Sequence, residues 1–285
     1  MVANSPGSCC EMIARASRVG AAWGAAAVLF LAAPAAAQTV TPPTLSDYAV
    51  LGLGDVMIRH GSRVVSGAVG AVNGTVRLGP KARVTNAVAG PSVRLTAGSR
   101  TGRLFCHFVS GPPTLPLCNA FTDPLVDPML LAPVPVVPGT SDLVLGPHTG
   151  SAPVPSGSFA DVRVGRGSTL QLYGGAYAMR SLRIGPHARV VCANECRIGV
   201  LGPVRLQRSA SLGAISPQRA GIARIDIAET GTAALFARSR ANVAATIFAP
   251  AGDVVLGGLG AYRGVFVGRT VRIGPDATVR AAGAL

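Results

Sequence analysis

VRLGPKARV at residues 76–84, VRVGRGSTL at 162–170 and LRIGPHARV at 182–190 are variants of one nine-residue unit, and the fold follows from it. The unit also occurs as VMIRHGSRV from Val56, VRLTAGSRT from Val93, VRLQRSASL from Val204 and VRIGPDATV from Val271. Weaker copies begin at Leu143 and Val254. Positions one, three and usually nine are aliphatic, and position seven is Ala or Ser in all seven strong copies. Two aliphatics flanking an outward residue make the period-two pattern of a short strand with one buried side. Gly-Pro follows at 79–80, 146–147, 185–186 and 274–275. Pro presets φ for a tight turn there. The small residue at position seven fits a crowded corner, and position nine opens the next strand.

Units begin 20 residues apart from Val56 to Val76, 17 from Val76 to Val93, 20 from Val162 to Leu182 and 22 from Leu182 to Val204. From Val254 to Val271 the step is 17. Each interval reads as one coil of a solenoid, stacked on the next by parallel-strand hydrogen bonds. A left-handed prism wants a near-constant coil of about eighteen residues, so the irregular steps predict the looser right-handed form. The expected fold is all-β: a single right-handed parallel β-helix with a Pro-rich excursion between two halves. Eleven prolines fall between Gly111 and Pro155, including LAPVPVVP at 131–138. Pro cannot donate to a ladder, so this stretch predicts a surface strap. The expected division is a signal peptide at 1–37, coils at 38–108, the strap at 109–158 and coils at 159–285.

Export is read from the first 37 residues. Arg15 and Arg18 precede an apolar run from Val19 to Ala33, and Ala35-Ala36-Ala37 supplies a small-x-small cleavage pattern. The mature chain then starts at Gln38, loses Trp23 and has no membrane span. The expected location is the periplasm, cell surface or extracellular space. Cys106, Cys118, Cys192 and Cys196 remain, an even number in an exported chain. Pairing 106 with 118 and 192 with 196 needs the least chain reach, and His107 beside Cys106 is too little for a zinc site. No cofactor is expected.

The charge is strongly basic, with 26 Lys and Arg against 12 Asp and Glu. Such a chain outside the cytoplasm meets anionic envelope or extracellular polysaccharide, not cytoplasmic nucleic acid. Position two of the repeat points outward and is Arg77, Arg94, Arg163, Arg183, Arg205 and Arg272. Strands in neighbouring coils lie about 4.8 Å apart, so these guanidinium groups form ladders, either a solvated face whose Arg stems cover apolar strands or a linear cationic track for a polyanion.

Chemistry is harder to find. Sugar cleavage needs a carboxylate pair, and the acids are dispersed. Asp55, Asp142, Asp161 and Asp253 each precede a repeat unit, as corner residues making turn hydrogen bonds do. After Asp161, the same place holds Ser181 and then Pro203. An acyltransferase using His60 or His187 as base fits poorly, because both fall at solvated turn positions. No Walker loop, dinucleotide fingerprint or nucleophile elbow is present, and the glycine turns at Gly52 and Gly257 lead into no helix.

VRLGPKARVTNAVAGPSVRL, residues 76–95, resembles the coil pattern of bactofilin-type polymer-forming proteins. ATIFAPAGDVVLGGLGAYRGVFVGRTVRIGPDATV, residues 245–279, is similar to the C-terminal module of exported β-helical surface proteins of the choice-of-anchor and pilus-associated kinds. The resemblance implies a right-handed β-helix that self-associates without nucleotide, although a signal peptide departs from the cytoplasmic bactofilins. A solenoid needs capped ends. Tyr48 to Gly54 is the expected N-terminal cap, and the coil ending at Val279 is expected to stand open as a template for end-to-end pairing. The functional expectation is a non-catalytic surface structural or adhesive protein. The alternative is a carbohydrate-active β-helix enzyme, a lyase or glycoside hydrolase.

Overall fold

The computed structural model describes residue 43 and residues 47–112, 116–121, 135–231 and 233–282. The signal-peptide reading of 1–37 lies outside them. The chain forms a β-solenoid of about 11 turns, with 25 strands in one sheet, parallel throughout. Each full turn carries strands on three faces.

The first face holds the triplets of the nine-residue unit. From one end it stacks β8 (Leu143–Leu145), β10 (Gly157–Val164), β12 (Gly175–Ile184) and β15 (Val204–Leu206). It continues through β18 (Leu235–Ala237), β21 (Val254–Leu256) and β24 (Val271–Ile273). There the order jumps back to the start of the chain. The next strands are β2 (Val56–Ile58), β5 (Thr75–Leu78), β6 (Arg83–Leu95) and β7 (Arg100–Ser110).

The other two faces repeat this order. The second stacks β9 (Ser151–Val154), β11 (Thr169–Leu172), β13 (Arg189–Cys192) and β16 (Ser211–Ala214). It goes on through β19 (Asn242–Ala244), β22 (Ala261–Arg263), β25 (Thr278–Arg280), β3 (Arg63–Val64), β6 and β7. On the third face β10 and β12 lead to β14 (Cys196–Val200), β17 (Ala223–Ile227), β20 (Thr246–Ala249) and β23 (Phe266–Gly268). Then come β1 (Tyr48–Gly52), β4 (Ala68–Ala71), β6 and β7.

The first described strands, β1 and β2, therefore lie in the middle of the solenoid. The chain climbs to one end at β7, returns to the opposite end at β8, and climbs again until its last coil docks under its first. Ten steps of about 4.8 Å separate the end coils, about 48 Å in all. The described parts of residues 111–142 are held to the coils. Asn119 pairs with Phe105, Phe121 stacks edge-on against His107 at 5.2 Å, and the Gly139 N–H donates to Phe159 at 3.1 Å. The seam is complete on all three faces. The Leu53 N–H donates to Gly268 at 2.9 Å, Val271 to Asp55 at 3.0 Å and Arg63 to Ala277 at 2.8 Å. The Ser62 hydroxyl donates to the Gly274 carbonyl at 2.6 Å.

This order corrects two expectations. Tyr48 to Gly54 is not a cap: Tyr48 to Leu51 are fully buried inside the stack. The coil ending at Val279 is not open, because it is covered by β3. The solenoid ends are β7 at one end and β8 with β9 at the other. The strap is also shorter than the Pro-rich stretch, since β8 and β9 are coil.

The repeat explains the core. Position three is inward at Ile58, Leu78, Ile184, Leu206 and Ile273, all at most 1% exposed. Position seven is the buried corner, at 0% for Ser62, Ala82, Ser168, Ala188, Ala210 and Ala277. Position six carries the turn. Gly61, Lys81, Gly98, Gly167, His187, Ser209 and Asp276 all have φ between 55° and 75°. At Lys81, His187 and Asp276 the preceding Pro and the positive φ are the signature of a type II turn, closed by bonds such as Ala82 N–H to Gly79 at 3.1 Å. Four of the seven strong copies tolerate that φ on a residue with a Cβ, a cost of about 1–2 kcal/mol each that the stacked coils offset.

Both expected disulfides are present. Cys106–Cys118 ties β7 to the strap with Cα atoms 5.4 Å apart, and Cys192–Cys196 closes the corner between β13 and β14 at 6.0 Å.

Candidate functional site

The outward row of the first face is the expected track, and its register is now fixed. Arg163, Arg183 and Arg205 are direct neighbours on three successive coils. The row then passes through Phe236 and Val255 before reaching Arg272. Arg272 neighbours Met57, which leads to Arg77 and Arg94. Six arginines therefore share one line but fall into separate groups, with Phe236 and Val255 between.

Carboxylates sit at the edge of this row, one residue before the repeat unit. The Asp55 carboxylate accepts from the Thr75 N–H at 2.8 Å and Asp142 from the Asp161 N–H at 3.0 Å, which is the corner role expected of them. Asp161 and Asp253 do more. Asp253, 3% exposed, takes two hydrogen bonds from Arg269 at 3.1 and 2.9 Å and lies 3.9 Å from Arg272. Asp161 accepts from the Arg180 guanidinium at 3.1 and 2.9 Å and from the Ser181 hydroxyl at 2.8 Å, with Arg163 at 3.6 Å. Two arginines of the track, 163 and 272, are therefore partly neutralised.

Stacking also places Asp142 beside Asp161, a juxtaposition that comes from the coil before Asp161 where the sequence reading weighed only those after. The pair is poorly suited to acid–base work. The Arg180 hydrogen bonds, with that of Ser181, hold the Asp161 carboxyl down at about 2, whereas a general acid needs its pKa raised. The consequence is for stability. A depressed folded-state pKa stabilises the fold above the ordinary value of 3.8, and that contribution is lost as pH falls from about 4 through about 2. Asp161→Asn is expected to flatten the decline of melting temperature between pH 4 and pH 2, measured by thermal melts at each pH. An unchanged slope would show that the Arg180 contact does not persist in solution.

The histidines remain at turns. His60 and His187 are exposed at positions five and six of the unit. Among the described residues no group of three or more His, Cys, Asp and Glu converges on a common point. No helix among them is long and apolar enough to cross a membrane.

A second set of arginines went unremarked in the sequence. Arg63, Arg83 and Arg100 are direct neighbours on the second face, with Thr278 next in the row. Their signal was position eight of the repeat, which is Arg in the copies from Val56, Val76, Val93 and Leu182. A third group lies on the third face. There Asp226, 3% exposed, accepts from Arg224 at 2.9 Å and Arg197 at 3.4 Å, and Arg224 also stacks over the Phe248 ring at 5.6 Å. Those cations are committed to structure.

Compared with protein-family models, with curated proteins and with solved structures, the chain matches none of them.

Proposed function

We propose that this chain is an exported, non-catalytic structural or adhesive β-solenoid that holds anionic polymers of the cell envelope against its first face. The observation that carries the reading is the in-register row Arg163–Arg183–Arg205, continued by Arg272 and by Arg77 and Arg94. Export rests on the N-terminal sequence pattern and the two cysteine pairs. The surface role rests on the resemblance to exported β-helical proteins and to bactofilin-type coils. Self-association in this proposal uses the two solenoid ends, where, among the described residues, β7 and β8 are paired on one side only along the first face.

The test is salt dependence. Contacts between arginines and a polyanion release counterions, so affinity falls steeply as salt rises. Replacing Arg163, Arg183 and Arg205 together with Gln should flatten that slope by about three contacts' worth and leave the melting curve in place. The control is a variant with Arg103, Arg219 and Arg240 replaced. Equal losses from both triple variants would reduce the track to generic surface charge. A carbohydrate-active enzyme is the other reading; it has only the Asp142–Asp161 neighbourhood to rest on, and there the Arg180 bonds to Asp161 count against it. It requires release of reducing or unsaturated ends from acidic polysaccharide, lost in Asp142→Asn.

A further inference from the structure

We propose that the second face is a groove for an extended acidic polysaccharide, a polyuronate, lying along the solenoid axis with one sugar per coil. The proposal takes from the preceding reading only that the chain meets acidic glycans, and it concerns different residues.

Two outward rows line this face. One runs Val191, Gly213, Ala244, Arg263, Arg280 in direct register. The other runs Arg189, Ser211, Asn242, Ala261, Thr278, Arg63, Arg83, Arg100. A cavity follows both from β13 to β25. Its floor is low because Gly213 and Ala244 carry almost no side chain. Gly213 sits at φ 129°, and a Cβ there would collide with the Ala244 carbonyl oxygen. Arg189 stands at one end of the floor, and Arg263 and Arg280 at the other. Ser211, Asn242 and Thr278 offer hydroxyl and amide groups along one side.

Charge distinguishes this face from the first. Across the seam the cations step from the row of Arg263 and Arg280 to the neighbouring row, as Arg63, Arg83 and Arg100, one in each of five successive coils. Neither row contains an Asp or Glu, and among the described residues none of these five arginines is in an ion pair. Coils advance by about 4.8 Å, close to the length of one pyranose in an extended linked chain. A uronate chain then runs its carboxylates past these arginines, and a guanidinium fork matches a carboxylate bidentately.

A single-stranded nucleic acid is the competing polyanion. Proteins that bind one present aromatic platforms for the bases. Among the described residues, the two outward rows of this face contain no aromatic side chain: Tyr262 of β22 points inward, 2% exposed, with its hydroxyl on the Gly257 carbonyl at 2.9 Å.

The experiment measures binding of oligogalacturonate, a neutral glucan of equal length and a single-stranded oligonucleotide by calorimetry at fixed low salt. Arg83→Gln, Arg263→Gln and Arg280→Gln combined should weaken oligogalacturonate at least tenfold. Ala244→Phe should do the same by filling the floor without changing charge. The Arg163, Arg183, Arg205 triple variant should leave it within twofold, and the glucan should not bind. Circular dichroism melts confirm each fold. Tighter binding of the oligonucleotide, or full affinity in Ala244→Phe, overturns the groove. Loss only in the first-face triple variant overturns it while leaving the first-face reading intact, and loss only in the second-face variants supports it and leaves the first-face reading to its own salt-dependence test with envelope polymers.

Discussion

Ile184→Asp is expected to melt the end of the solenoid built on β8 to β13 while the far end, at β4 to β7, stays folded. Ile184 is fully buried and sits in register between Val164 and Leu206. Replacing it removes a buried aliphatic, worth about 2–5 kcal/mol with its cavity. It also places an unpaired carboxylate in an apolar stack, which adds further cost. The sum exceeds about 4 kcal/mol, a range reached by few single substitutions. In a solenoid each coil contacts only its neighbours, so the damage spreads to the nearer free end first. Hydrogen exchange should show Leu170 and Val190 losing protection and Val88 keeping it. Arg183→Asp is the control, since the same new side chain one position earlier points to solvent between two arginines. Equal melting of both variants, or wild-type protection in Ile184→Asp, would show the inward–outward alignment to be wrong.

That alignment was fully legible in the sequence, because period two and the corner small residue are local properties of nine residues. The buried positions one, three, seven and nine follow from it, as does the outward Arg at position two. The two disulfides were legible for a similar reason, short reach in the chain. What was not legible is the order of coils. Nothing in VRIGPDATV at 271–279 says that its upper neighbour is VMIRHGSRV at 56–64 and not a later segment. Any two units of a repeat are compatible partners, so the nine-residue pattern fixes the rung and leaves the ladder undetermined. The Pro-rich stretch was the available clue. Residues 111–142 extend to at most about 105 Å at 3.3 Å per residue, long enough to cover about 48 Å of axis and excessive for a corner loop. Arg63, Arg83 and Arg100, at position eight, were missed because position two was the only outward position weighed. The meaning of position eight depends on which coils are adjacent, and that is the information the chain does not carry locally.

The coil order predicts that the chain can be opened at the strap and closed at the seam. Ala281 and Ala49 both lie against Gly67: a Cβ built on that glycine falls 3.0 Å from one Cβ and 2.7 Å from the other. A short glycine–serine link from Ala282 to Asp47 therefore spans the junction without strain. The permuted chain begins at Pro135, runs to Ala282, crosses the link and ends at Phe121, keeping the Cys106–Cys118 disulfide. In the natural order the seam joins residues about as far apart as any in the fold, with separations of 212 for Ser62 to Gly274 and 215 for Ala281 to Ser66. Closing so long a loop is slow, because its entropy is lost before the contacts form. In the permuted order the same contacts lie one coil apart and every stacking step is between sequence neighbours. The permutant should refold from urea at least tenfold faster, as followed by circular dichroism in stopped flow. Its unfolding rate should change little, since the native contacts at the seam are the same. A permutant that stays unfolded would show that β24 and β2 are not neighbours, and one that refolds at the natural rate would show that some step other than seam closure limits folding.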